Sequence, residues 1–159
     1  MVPAAVLACA LKILGPSAQS LPAIELIPRP PDVAADVEAF VRAGEPVIWL
    51  ITDSDAFEAA RASDCRDAAA VAKLASILVH EQWHVSHGAS EADAYQAQLE
   101  ALARWGVSSD SRVYQGVQRS RQAVVNGTRR RVPNYRLERN GCTNCVIQRN
   151  GTSRPPDRP

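Results

Sequence analysis

Two histidines and a glutamate in residues 80–84 form the pattern in this chain that is best suited to chemistry. The segment reads HEQWH, and an apolar run, residues 75–79, precedes it. Residues four positions apart lie on one face of an α-helix, so His80 and His84 can bind a single metal ion. Glu81 lies one position further round the helix, where its carboxylate can approach a metal-activated water without ligating the metal. The pattern therefore predicts a metal site on a helix.

A competing interpretation of the same segment is a chance pair of surface histidines beside a solvated acid. The apolar residues that precede His80 argue against it, because they bury this histidine next to the core. A buried imidazole pair with an acid costs free energy unless the groups have partners, and a metal ion would be such a partner.

The elements that must position these residues follow from hydrophobic periodicity and from turn residues. In chain order we expect a strand over residues 23–27, a helix over 32–43, a strand over 47–52, a short helix over 53–62, and longer helices over 64–86, 90–105 and 109–125. The 64–86 helix carries the histidines. The 47–52 strand is a continuous apolar run, which is typical of a central or nearly central strand.

The HExxH segment resembles the active-site helix of the zincin metallopeptidases, and the resemblance covers residues 74–102. It implies that His80 and His84 are zinc ligands and that Glu81 is the general base. The chain departs from the metzincins, because His87 stands where their pattern has glycine and because it has one methionine, at position 1. It is closer to the gluzincins, whose third ligand is a glutamate from a following helix. It also looks like small bacterial HExxH proteins with a Glu-x-x-Ala-Tyr motif, which residues 91–95 match.

Three residues compete for the third ligand position. Seven residues of helix place His87 about 10 Å from His80 along the axis, which is too far for one ion unless the helix breaks. Asp93 follows Ser90 in a capping-box spacing that would direct its carboxylate to its own helix end. Glu91 has no such commitment. We therefore rank Glu91 first, Asp93 second and His87 third.

Further contacts near the metal are expected from three side chains. His87 and Tyr95 are candidates to donate a hydrogen bond to a developing oxyanion, although core packing explains Tyr95 equally well. Gln98 lies on the Glu91 face of its helix and is a candidate to support a ligand. Trp83 is expected in the core. Because many zincins bind a peptide along a sheet edge, the 47–52 strand is the candidate for that role.

These residues predict a helix-rich α+β domain, zincin-like, with a short sheet packed on the HExxH helix. The expected function is hydrolysis of peptide bonds by a water that one zinc ion per chain activates, with a peptide or protein as substrate. The alternative is a non-catalytic zinc-binding or interaction module that uses the same helix. A structural zinc site is closed by four protein ligands, whereas a catalytic one keeps a position open to water.

Length and composition fit one folded domain with short extensions. The 159 residues are 46% hydrophobic and 22% charged, and no stretch approaches the length of a membrane span. Residues 1–20 are either a signal peptide or an N-terminal helix. The first option implies a secreted or periplasmic protein, and the second leaves a cytoplasmic one. The metal-binding domain covers residues 21–126, and residues 127–159 form a basic, partly irregular segment.

Charge and cysteines add weaker signals. Residues 1–106 carry a net charge of −7 and residues 107–159 a net charge of +8. Nucleic-acid binding would explain the basic segment, but it lacks interleaved aromatic residues, so contact with its own acidic domain or solvent is favoured. Cys142 and Cys145 are expected to form a disulfide in an oxidising compartment. If a signal peptide that contains Cys9 is removed, Cys65 is either free or paired with another chain.

Overall fold

The computed structural model of this protein describes residues 1–127. The elements are α1 (Pro3–Leu14), a 3₁₀ helix (Gly15–Ser20), β1 (Ala23–Ile27), β2 (Ala39–Val41), β3 (Val47–Ile51), α2 (Asp55–Ala62), α3 (Ala68–His87), α4 (Glu91–Arg104) and α5 (Arg112–Val125). The α+β expectation is confirmed: five α-helices accompany one small mixed sheet in the described part of the chain.

The sheet has the strand order β1-β3-β2, so β3 is its central strand. β1 pairs with β3 in parallel along its whole length, and β2 pairs with β3 antiparallel. Ile48 and Leu50 are fully buried on the side of the sheet that faces the helices. Trp49, between them, lies on the opposite side and stacks with Phe40 at 6.4 Å between ring centroids. The alternation places one face of β3 in the core.

The prediction of a helix over residues 32–43 is wrong. Its second half forms β2 instead, because Phe40 and Val41 complete hydrogen-bonded pairs with β3. The first half consists of turns, and the Arg29 guanidinium donates to the carbonyls of Ala34 and Val37 there. Pairing with a buried strand thus outweighed the helical spacing of the apolar residues.

Helix α3 is the centre of the core, and it packs against α1, α2, α4 and the sheet. Its N-terminus is capped by the Asp67 carboxylate, which accepts from the backbone N–H groups of Ala69 and Ala70. Leu74 and Leu78 are fully buried in the main hydrophobic cluster. Because α3 is fixed along its length, the histidines near its C-terminal end stand on a rigid support.

The N-terminal apolar run forms α1, which packs on α2 and α3 with Val6, Ala10 and Leu14 buried. A disulfide between Cys9 and Cys65 joins α1 to the loop that precedes α3. The positions of the cysteines in the sequence do not predict this pairing. The structure contains residues 3–14 as this packed helix, and the signal-peptide interpretation of residues 1–20 stays a prediction.

Two further expectations concern the membrane and the C-terminal segment. Within residues 1–127 no helix is both long and apolar enough to span a bilayer. The basic segment, including Cys142 and Cys145, lies outside the described residues from position 128 onward. Its disulfide and its role stay predictions.

Candidate metal centre

The candidate centre lies where the C-terminal end of α3 meets the N-terminal end of α4. Helix α3 ends at His87, and Gly88 follows with φ 99° and ψ −151°, a conformation that residues with a side chain rarely adopt. The chain then reverses within three residues, and α4 begins at Glu91. The first turn of α4 therefore packs beside the last turns of α3, which brings Glu91 back to the two histidines.

Three side chains converge at this junction. His80 Nε2 lies 3.2 Å from His84 Nε2, 3.3 Å separates His80 Nε2 from Glu91 Oε2, and 3.4 Å separates His84 Nε2 from Glu91 Oε1. Four ligand atoms around a zinc ion at about 2.0–2.1 Å would be separated by about 3.3 Å in a tetrahedral arrangement. The three groups are thus spaced as ligands of one small ion would be.

The group of His80, His84 and Glu91 can hold a metal ion, and it is the one such group among the described residues. Its donors are two imidazole nitrogens and a carboxylate, a set that suits zinc and several other transition metals. His80 is buried, whereas Glu91 is 41% exposed. One side of the site therefore packs against the core, and the other side faces solvent.

The pKa values of His84 and Glu91, the two members of the group that are not fully buried, depend on each other. Burial lowers the pKa of His84, but the hydrogen bond to Glu91, the bond to the Gly88 carbonyl and the charges of Glu81 and Glu91 outweigh it and raise the pKa overall. Burial alone would raise the pKa of Glu91, but its hydrogen bonds to His80 and His84 and their charges hold it well below its usual range. Protons therefore compete with a metal for His84, and we expect metal affinity to fall as the pH drops below neutrality.

Glu81 is buried beside the ligand group, with 7% of its surface exposed. Desolvation raises the pKa of Glu81; the charges of His80 and His84 oppose the rise and the charge of Glu91 adds to it. These charges act on Glu81 because it lies near His80, His84 and Glu91. A carboxyl group with a raised pKa is a stronger base than an exposed glutamate, as general-base chemistry requires.

Each imidazole is held in place differently. His84 Nδ1 bonds to the Gly88 carbonyl oxygen at 2.8 Å, a contact that residue types do not predict because the acceptor is a backbone atom. His80 Nδ1 is buried without a hydrogen-bond partner in the described part of the chain. Its ring packs edge-on against Tyr95 at 4.5 Å between centroids. Tyr95 thus contacts the ring of a candidate ligand, and its role toward an oxyanion stays a prediction.

His87 is exposed at the end of α3 and does not belong to the ligand group. Its ring stacks on Trp83 at 5.0 Å, and its Nδ1 lies 3.2 Å from the Trp83 carbonyl oxygen. Trp83 is half-buried rather than in the core as expected, and it also contacts the His84 ring at 5.8 Å. The proposed contact of His87 with substrate stays a prediction.

Gln98 was a candidate to support a ligand, but within residues 1–127 its side chain bonds to a different partner. It is buried, and its Nε2 donates to Ser76 Oγ at 3.0 Å. Ser76 lies one turn before His80 on α3, so this bond ties α4 to α3 below the centre. The 47–52 strand is also not available for a peptide, because β3 is paired on both sides and the edges belong to β1 and β2.

Asp93 is exposed and directed to the start of its own helix, where its Oδ2 accepts from Ser90 Oγ at 2.6 Å. We expect Asp93→Ala to leave metal affinity unchanged. It should lower the free energy of unfolding by about 0.5 kcal/mol, through the loss of a negative charge at the helix N-terminus. Chelator competition and urea unfolding of the metal-free protein measure the two quantities. A loss of metal in this variant would contradict the placement of Asp93 outside the ligand group.

Comparison of the chain with protein-family models, with curated proteins and with solved structures gives no match.

Proposed function

We propose that this protein is a zinc-dependent peptidase, in which His80, His84 and Glu91 hold the ion and Glu81 is the general base. The observation that carries the proposal is the convergence of three side chains: the two Nε2 atoms are 3.2 Å apart, and each lies 3.3–3.4 Å from a different oxygen of the Glu91 carboxylate. The fit to zinc rests on the donor set and on the closeness of the three groups, whose ligand atoms lie within 4.8 Å of one another.

The number of ligands favours catalysis over a structural site. Structural zinc is normally closed by four protein ligands, whereas catalytic zinc has three and keeps one position for water or substrate. The group contains three such residues in the part of the chain that the structure describes. The non-catalytic zinc module is accordingly the less favoured alternative.

Bound zinc supplies Lewis acidity, which polarises a carbonyl group and acidifies water. The chain supplies the rest. The Glu81 carboxylate would accept the proton of the attacking water and would pass it to the leaving amine. Its burial keeps it away from bulk solvent, whereas Glu91, 41% exposed, lies on the solvent side of the group. An amide is the substrate proposed because its hydrolysis needs this combination of polarisation and proton transfer.

Metal content is the first test of the proposal. Protein purified without chelators should contain about one zinc per chain, and His80→Ala or His84→Ala should abolish it, because each removes one of three ligands. The chain has three histidines in all, so His87→Ala is a matched control on the same helix and should keep its zinc. Elemental analysis measures the result and would also reveal iron or another ion. Wild-type protein without any divalent metal would remove the basis of the proposal.

A further inference from the structure

We infer that Gly88 is a positioning residue of the metal centre: the backbone carbonyl of Gly88 sets the orientation of the His84 ring. The inference rests on the metal centre of the proposed function but not on peptide hydrolysis. It starts from the bond between His84 Nδ1 and the Gly88 carbonyl oxygen at 2.8 Å.

This bond determines which imidazole nitrogen carries the proton. A carbonyl oxygen only accepts hydrogen bonds, so the neutral His84 ring must carry its proton on Nδ1. The lone pair then lies on Nε2, the atom that faces His80 Nε2 and the Glu91 carboxylate. The Gly88 carbonyl therefore selects the tautomer that binds metal at Nε2, and it fixes the plane of the ring.

The backbone conformation explains why a glycine stands at this position. With φ 99° and ψ −151°, Gly88 lies in a region that is almost restricted to glycine. No atom lies within 4 Å of the place where a Cβ would stand, so a side chain would meet no obstacle there. The conformation, rather than lack of space, excludes other residues, and a substitution would rotate the carbonyl away from His84.

The same residue also connects the two parts of the ligand group. Its N–H donates to the His84 carbonyl oxygen at 3.0 Å and closes the last turn of α3. The reversal of the chain begins there, and Glu91 follows three residues later at the start of α4. Of the two imidazoles, His84 is the one whose Nδ1 has a hydrogen-bond partner within residues 1–127. His84 should therefore be more sensitive to Gly88 than His80 is.

The test compares Gly88→Ala with Gly106→Ala, a control that makes the same substitution at another glycine with a positive φ. Gly106 also follows a helix, has φ 76° with nothing within 4 Å of a Cβ, and lies about 20 Å beyond Glu91 along α4. Both variants place a side chain at a positive φ, so both should lower the midpoint of thermal unfolding. Zinc titration against a chelator should show affinity lowered by about 10- to 100-fold in Gly88→Ala, the effect typical of a lost outer-shell partner, and unchanged in Gly106→Ala.

A second measurement needs neither bound metal nor turnover. In the metal-free wild-type protein above the pKa of His84, the ring ¹⁵N shifts should report a proton on Nδ1. In Gly88→Ala the shifts should move toward a mixture of tautomers. A wild-type His84 ring protonated on Nε2 would overturn the inference, even if the variant failed to fold. Equal zinc affinity in both glycine variants would overturn it as well. Zinc binding without peptide hydrolysis would contradict the proposed function and leave the assignment of Gly88 standing.

Discussion

Glu81→Gln is expected to keep its zinc and to lose most of its turnover. The substitution preserves the size of the side chain and removes the carboxylate that accepts a proton. We expect kcat to fall by about 10²-fold or more, since general-base assistance contributes about 10² to 10⁴. Elemental analysis and hydrolysis of an unstructured protein substrate, each on the same preparation, measure the two effects.

The structure provides a control for this variant. Glu100→Gln changes an exposed glutamate on α4 whose partner is the Gln96 amide, on the helix that carries Glu91. It should alter neither zinc content nor turnover. If Glu81→Gln lost its zinc, Glu81 would be a ligand or a determinant of the fold. If it kept both zinc and turnover, water activation by Glu81 would be wrong.

Local spacing was enough to predict much of the candidate centre. The i, i+4 spacing of His80 and His84 fixes their common face once the segment is helical, and the structure places both Nε2 atoms 3.2 Å apart. The sequence favours Glu91 over Asp93, because Asp93 has a competing partner at the helix start. The structure shows that partner, Ser90, and it places Glu91 at the histidines. These relations span few residues, so sequence alone constrains them strongly.

Features that depend on distant parts of the chain were not predictable in this way. The 32–43 segment has apolar residues at helical spacing, but β3 offers it a partner for pairing, and that contact is invisible in a local window. The Cys9–Cys65 disulfide spans 56 positions, and a cysteine in an apolar N-terminal run gives no sign of its partner. The bond between His84 and the Gly88 carbonyl is not predictable for another reason: every residue has a backbone carbonyl, so the residue type does not indicate which one accepts a hydrogen bond. Sequence patterns indicate which side chains share a face, not which backbone atoms hold them.

Glu91→Ala is expected to weaken zinc binding by at least about 10²-fold. Two ligands would remain where catalytic zinc normally has three, and even the loss of an outer-shell partner costs 10- to 100-fold. Glu91 makes the two contacts to the imidazoles, at 3.3 Å and 3.4 Å, and no other carboxylate of the described residues joins the group. Titration of the metal-free protein with zinc against a competing chelator measures the change.

Two neighbouring variants show whether the loss is specific to Glu91. Asp93→Ala removes an acid from the same first turn of α4, so it matches the change in net charge and in helix-dipole energy, and it should retain zinc. His87→Ala removes the third imidazole of the chain, at the end of α3, and should also retain zinc, because the His87 ring is stacked on Trp83. If Asp93→Ala lost the metal and Glu91→Ala kept it, the third ligand would be Asp93, and the first turn of α4 would have to rotate when the ion binds. If His87→Ala alone lost it, helix α3 would have to end earlier than residue 87, and the comparison with gluzincins would no longer apply.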